Sequence, residues 1–156
     1  MSASFETLVL GPTDIALLRE TLSMFGTAFG ESAVYAEHQP DDLYLRSLLA
    51  STTFIAVAAV ANGKVIGGVA AYVLPKFEQM RSELYIYDLA VEQSCRRQGV
   101  ATALIGELQR LSAERGIYVM FAQADYGDEP AIALYTKLGV REDVLHFDIP
   151  PRKGAA

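Results

Sequence analysis

The segment Tyr85-Ile-Tyr-Asp-Leu-Ala-Val91, followed four residues later by Arg96-Arg-Gln-Gly-Val-Ala101, constrains this chain more than any other part of it. It joins an apolar strand to a basic helix start that carries a glycine. The first N–H groups of a helix have no partner within it and concentrate roughly half a positive charge there, so such an end attracts anions. Gly99 lets a ligand come close to the backbone, and Arg96 and Arg97 add fixed cations. The junction is built to hold a pyrophosphate.

Hydrophobic periodicity places the other elements around it. A strand is expected over 5–10, then a helix opened by Gly11-Pro-Thr-Asp14 with apolar positions Ile15, Leu17, Leu18, Leu22 and Phe25. Pro40-Asp41-Asp42 starts a short helix through Leu49. Apolar strands over 53–60 and 65–74 flank Asn62-Gly63, a strong hairpin signal. A third central strand spans 83–91. The helix over 99–115 presents Val100, Leu104, Leu108 and Leu111 on one face, and 117–123 reads as a buried strand. A helix over 130–138 and a terminal strand near 144–149 complete the order β-α-α-β-β-β-α-β-α-β, an α+β chain.

With 156 residues the chain suits one domain spanning 1–156, with 150–156 as a loose tail. Its 51% apolar content describes a folded globule. No apolar run approaches the roughly 20 residues of a membrane span, and the N-terminus lacks the pattern of a signal peptide, so a cytoplasmic location without a membrane partner is expected. The single cysteine, Cys95, excludes an internal disulfide. His38 and His146 show no ligand spacing, and no metal is expected.

Arg96-x-x-Gly99-x-Ala101 after such a strand resembles the acetyl-CoA signature of the GCN5-related N-acetyltransferases, the GNAT superfamily. Asp128-Glu-Pro-Ala-Ile-Ala-Leu-Tyr135-Thr-Lys-Leu-Gly139 resembles the second signature of that family, in which the tyrosine delivers a proton to the departing CoA thiolate. Its spacing also fits a plain buried helix face made by Ala131, Leu134, Tyr135 and Leu138. The element order is that of the family's fold, a mixed sheet flanked by helices whose central strand and the strand after the long helix splay apart around acetyl-CoA. The resemblance implies that Leu89, Ala90 and Val91 hold the acetyl and pantetheine portion. It assigns the pyrophosphate to Arg96, Arg97, Gln98, Gly99, Val100, Ala101 and Thr102, and makes Asp128, at the pantetheine, and Ala131 further cofactor contacts from the second signature. Asp128 stands where Asn is usual, and Val140 where Phe commonly follows the glycine.

A protonated amine cannot attack a thioester until it loses a proton, so a carboxylate base is expected. Asp88 interrupts an apolar strand just before the acetyl-binding segment, where an acid is costly unless paired, solvated or used. A structural Asp bonding neighbouring backbone N–H groups is the alternative. Glu83, at the start of the strand, is a second candidate.

A narrower likeness covers about Leu10 to Asp148. His38-Gln39-Pro40-Asp41, Tyr72-Val-Leu-Pro-Lys-Phe-Glu-Gln79, Glu83 to Val91, and Gln123-Ala-Asp-Tyr-Gly-Asp128 resemble the gentamicin-type aminoglycoside 3-N-acetyltransferases. That likeness implies transfer of acetyl to the 3-amino group of the deoxystreptamine ring, resistance to the antibiotic, and a homodimer. Net charge −6 favours a small polycationic acceptor over nucleic acid. Asp125, Asp128, Glu129 and Asp148 are candidate carboxylates for its ammonium groups, with Tyr35 and Tyr126 closing over sugar rings. A polyamine, peptide or protein amine as acceptor, and a non-catalytic acetyl-CoA sensor, are the alternatives.

Overall fold

In the computed structural model, which describes residues 4–154, strand β2 (Phe54–Ala61) is buried along its whole length. Successive side chains alternate between two covered faces: Ile55, Val57, Ala59 and Ala61 enter one core, and Phe54, Ala56, Ala58 and Val60 the other. A strand covered on both sides needs apolar residues at every position, which is what Phe-Ile-Ala-Val-Ala-Ala-Val-Ala supplies.

The sheet runs β1 (Glu6–Val9), β2, β3 (Lys64–Pro75), β4 (Ser82–Val91) and β5 (Ile117–Ala122), in that order. Its pairs are antiparallel except β4 with β5, which is parallel. Asn62 and Gly63 both take positive φ, 51° and 74°, as the two-residue turn between β2 and β3 requires. Helices α1 (Ile15–Phe29) and α2 (Asp42–Ala50) cover one face through Leu18, Leu45 and Leu49. Helix α3 (Val100–Glu114) covers the other with the expected Val100, Leu104, Leu108 and Leu111. Burying each such side chain is worth roughly 1.5–3 kcal/mol. Between α1 and α2 the chain makes a π-helical turn, Ala33–Glu37, that periodicity did not anticipate.

Two expectations fail. The strand after α3 is not buried: β5 pairs only with β4, so it is an edge, and Tyr118 and Val119 are exposed. An apolar run looks the same in a central strand and in an edge strand. The terminal strand near 144–149 does not form, and residues 140–154 carry no helix or strand. Leu145, Phe147 and Ile149 alternate with polar residues as a strand would, but alternation without a pairing partner leaves the backbone groups to water.

The chain divides into two compact units, one ending at Gln123 and one beginning at Ala124. The second unit contains α4 (Glu129–Leu138). Among the described residues no helix is long and apolar enough to cross a membrane.

Candidate active site

Strand β4 is held from both sides over only part of its length. Its pairing with β5 runs from Ser82 opposite Ile117 to Ile86 opposite Ala122 and stops there, whereas β3 follows it to Val91. Beyond Ile86 the β5-facing edge of β4 therefore has no strand partner among the described residues. Leu89, Ala90 and Val91, the expected acetyl and pantetheine contacts, lie on this open stretch, where a ligand can pair with the backbone as a strand would.

The same strand leads into the anion seat. After a short 3₁₀ turn, Gln93–Cys95, the chain enters α3 through Arg97 at φ 61° and Gly99 at φ 83°. An L residue in the left-handed region is strained, so Arg97 there marks a loop whose shape is imposed by its surroundings. Gly99 caps α3 with no side-chain hydrogen bond. The first bond back along the helix is from the Ala103 N–H to the Gly99 carbonyl, leaving the N–H groups of Val100, Ala101 and Thr102 without helical acceptors. Nothing lies within 4 Å of where a Gly99 Cβ would be. The open approach, the free N–H groups and the exposed Arg97 and Gln98 suit a pyrophosphate. Arg96 bends back so that its Nε donates to the Val91 carbonyl at 3.1 Å. Val100 itself is buried beneath the seat and contributes backbone only.

Asp88 reaches its position through a β-bulge. Ala70 pairs with Asp88 but Ala71 pairs with Ile86, so Tyr87 is an extra residue in β4. Leu84 and Ile86 enter the α3-side core before it, and Leu89 and Val91 pack on that core after it. The bulge thus turns Asp88 to the opposite face, where the Tyr35 hydroxyl donates to its Oδ2 at 3.1 Å. Among the described residues no other donor reaches the carboxylate, so Asp88 is not a structural acid capped by backbone N–H groups. Burial pushes its pKa above the usual carboxylate range, the Tyr35 bond pulls it down, and the charge of Glu31 pushes it up. The face around it is aromatic: Tyr72 and Tyr85 each meet the Tyr87 ring edge to face, at 5.6 and 5.7 Å, and Tyr85 stacks on Phe121 at 4.8 Å. Tyr87 is 58% exposed.

Glu83 is otherwise engaged. It accepts from the Tyr118 hydroxyl at 2.6 Å and lies 3.5 Å from Lys76 Nζ, contacts that hold its carboxyl below the usual range. It is five residues from Asp88 along β4, roughly 16 Å at strand rise. Such an ion-paired carboxylate is a poor base.

The remaining candidates fall in the second unit. Asp128 accepts from the Ala131 N–H at 3.4 Å and caps α4, with Glu129 in its first turn, so both acids have a helix-stabilising role. Asp125 and Tyr126 are exposed on the turn before it, where Gly127 has φ 91°. Tyr135 is half-buried in α4, and burial together with the charge of Asp128 pushes its phenol up to about 12. Asp148 was to be presented by the terminal strand. It sits instead in irregular chain, 3.0 Å from His146 Nε2 and exposed.

Three features of the site were missed in the sequence. The bulge was legible in the spacing of the apolar positions, two residues from Leu84 to Ile86 but three from Ile86 to Leu89. The second is the clamp that carries Tyr35: Arg19 Nη1 donates to Gln39 Oε1 at 3.0 Å, and Gln39 Nε2 donates to the Tyr35 carbonyl at 3.0 Å. The third is the aromatic face, whose members come from separate strands and share no local pattern. A separate surface hollow of about 560 Å3, lined in part by Thr53, Val73, Ser82 and Arg115, contains no carboxylate and offers no acid–base pair.

The chain is 54% identical to an aminoglycoside acetyltransferase from an uncultured soil metagenomic sample, over 96% of this chain and 99% of that one, with a TM-score of 0.93. A second aminoglycoside acetyltransferase from such a sample, solved with sisomicin, is 27% identical over 95% and 97% of the two chains, with a TM-score of 0.87. A curated relative, glucosamine 6-phosphate N-acetyltransferase of Trypanosoma brucei brucei, is 31% identical over 81 residues, which are 51% of this chain and 53% of the relative. The match thus spans about half the length of that curated relative. Residues 17–140 match the acetyltransferase (GNAT) family, and the chain belongs to that family, whose members take their acetyl group from acetyl-CoA.

Proposed function

We propose that this protein is an aminoglycoside N-acetyltransferase that modifies the 3-amino group of the deoxystreptamine ring of gentamicin-like antibiotics and thereby confers resistance. The observation that carries this reading is the 54% identity, over nearly the full length of both chains, to an aminoglycoside acetyltransferase. An acidic chain with a half-buried carboxylate set among aromatic rings suits a polycationic sugar, which offers ammonium groups to the acid and apolar ring faces to the aromatics. Acetylation removes one positive charge from a ligand that binds RNA mainly through charge.

Acetyl-CoA supplies the thioester that is the source of the acetyl group. The open edge of β4 at Leu89, Ala90 and Val91 orients the thioester end, while the N-terminus of α3 with Arg96, Arg97, Gln98 and Thr102 holds the pyrophosphate. Asp88 takes a proton from the acceptor ammonium, which frees the nitrogen lone pair. Its raised pKa brings it closer to that of the ammonium, so the transfer is less uphill than to an ordinary carboxylate. Tyr135 stays protonated at every physiological pH. Full transfer from a phenol near 12 to a thiolate of about 8.5 runs uphill by several units, each about 1.4 kcal/mol. Tyr135 therefore acts as a hydrogen-bond donor to the departing sulfur. Asp125, Tyr126, Glu129 and Asp148 in the second unit are proposed contacts for further ammonium and sugar groups. The active form is proposed to be a cytoplasmic homodimer.

The test is a CoA-release assay with gentamicin, spermidine and a lysine-rich peptide, with the acetylated position read by NMR. Rapid release with gentamicin and acetylation at the 3-amine are expected. Turnover only with spermidine or peptide would overturn the antibiotic assignment while leaving the family intact.

A further inference from the structure

We infer that Tyr35 is a positioning residue for the base: held on a clamped π-helical turn, it fixes the Asp88 carboxylate through Oδ2 and leaves Oδ1 to receive the acceptor's proton. The inference rests on the proposed role of Asp88. It replaces the expectation that Tyr35 closes over a sugar ring.

Tyr35 is half-buried on the Ala33–Glu37 turn, against Phe25 and Phe29, whose ring centroids lie 6.1 and 5.5 Å from its own. The turn is tied to α1 by side chains. Gln39 Nε2 donates to the carbonyls of Tyr35 and Arg19, and Arg19 reaches on to the Pro40 carbonyl and to Asp42 Oδ1. Gly26 permits the close approach, because a Cβ there would stand 3.2 Å from the Tyr35 Cβ and 3.1 Å from the Ser32 Cα. A side chain packed on two rings, with its backbone bound at the carbonyl, gives up little further freedom on bonding to Asp88.

The groups facing Asp88 are Glu31 ahead of the turn, Tyr35 on it, Tyr72 from β3, and Tyr85 and Tyr87 from β4 itself. None is a cation, so the Tyr35 hydroxyl is the group that favours the ionised acid. Burial and the Asp88 charge raise the Tyr35 phenol far above its ordinary value, which keeps its proton in place as donor. In the reaction the ammonium N–H bond breaks and the proton passes to Oδ1; the pair left on nitrogen forms the C–N bond to the acetyl carbon as the C–S bond of the thioester breaks, and the second nitrogen proton ends on the departing thiolate. The Tyr35 O–H bond stays intact throughout.

The experiment uses the full chain with selectively 13C-labelled aspartate carboxyls, titrated by NMR without substrate, the Asp88 signal being assigned by its loss in Asp88→Asn. Tyr35→Phe removes only the hydroxyl and is expected to move the Asp88 midpoint upward. Gln39→Leu, which loosens the turn, should move it the same way by less. In the matching pH profile of kcat/KM for gentamicin, Tyr35→Phe should be several-fold slower on the acid limb and approach the parent rate on the plateau above it, with the KM for acetyl-CoA unchanged. An unmoved Asp88 midpoint in Tyr35→Phe overturns the inference even where Asp88→Asn abolishes the acid limb. An acid limb that survives intact in Asp88→Asn overturns the base assignment, and the inference with it.

Discussion

The Arg96 guanidinium donates through Nε to the Val91 carbonyl at 3.1 Å, so the first arginine of the loop that enters α3, the loop proposed to hold the pyrophosphate, also ties that loop to the end of β4. The two parts of the proposed acetyl-CoA site, the open strand edge and the α3 N-terminus, are thereby linked by one side chain.

Loss of that tie is expected to act on acetyl-CoA rather than on the acceptor. Arg96→Ala should raise the KM for acetyl-CoA about tenfold, the scale of one charge-assisted hydrogen bond, with kcat little changed. Arg96→Lys keeps the charge but not the planar fork and should recover only part of the loss. Steady-state kinetics with varied acetyl-CoA decide this, and an unchanged KM would remove Arg96 from the site.

Gly99 is required by its backbone angle and not by crowding, since φ is 83° while a Cβ would meet nothing within 4 Å. Gly99→Ala should therefore cost about 1–2 kcal/mol, the penalty of a left-handed L residue. In a chain of this size that lowers the Tm by about 2–8 °C. Gly99→Asn, which tolerates the left-handed region better, should lower it less. Calorimetry provides the check, and an unchanged Tm for the alanine variant would show that the loop relaxes.

Tyr135→Phe keeps the ring that packs in α4 and removes the hydroxyl. With the phenol raised to about 12, the lost function is a hydrogen bond, so kcat should fall by roughly one to two orders of magnitude, while acetyl-CoA affinity stays within a few-fold. Because the phenol is protonated throughout, the parent enzyme should show no loss of rate between pH 7 and 9 that the variant lacks. A variant with unaltered kcat would end the role assigned to Tyr135.

The two-faced burial of β2, the Asn62-Gly63 turn, the apolar stripe of α3 and the basic entry to that helix could all be read from the chain, because each is encoded within a dozen neighbouring residues. What could not be read depends on partners far away in sequence. Val119 sits in a continuous apolar run and Leu145 in an alternating one, both strand-like patterns, yet one lies on a paired edge strand and the other in irregular chain. Asp88 was legible as an odd acid in an apolar strand, but its partner Tyr35 lies 53 residues away on a π-helical turn without a periodic signature. The motif His38-Gln39-Pro40-Asp41 stood out by resemblance alone. Its physical content lies in the clamp that Gln39 and the Pro40 carbonyl make with Arg19, and in the cap that Asp41 gives to α2.

Asp88 also sets stability against activity. Burial raises its folded pKa above the unfolded value of about 3.9, so the folded state binds its proton more tightly than the unfolded chain does. Between those two values stability falls as pH rises, and above the folded pKa the full cost of an ionised, half-buried carboxylate is present. Asp88→Asn keeps an acceptor for the Tyr35 hydroxyl and removes the charge. Where the carboxyl is ionised in the fold it should therefore melt higher than the parent, and the difference should shrink as pH falls and vanish only well below the unfolded value of about 3.9, where the parent carboxyl is protonated in both states. Over the same range it should lose most of its acetyl-transfer rate. Thermal melts of both proteins from pH 8 down to about one unit below the unfolded value of about 3.9 make the comparison, and a variant that melts lower than the parent at pH 8 would show that the ionised carboxylate stabilises the fold and is not strained within it.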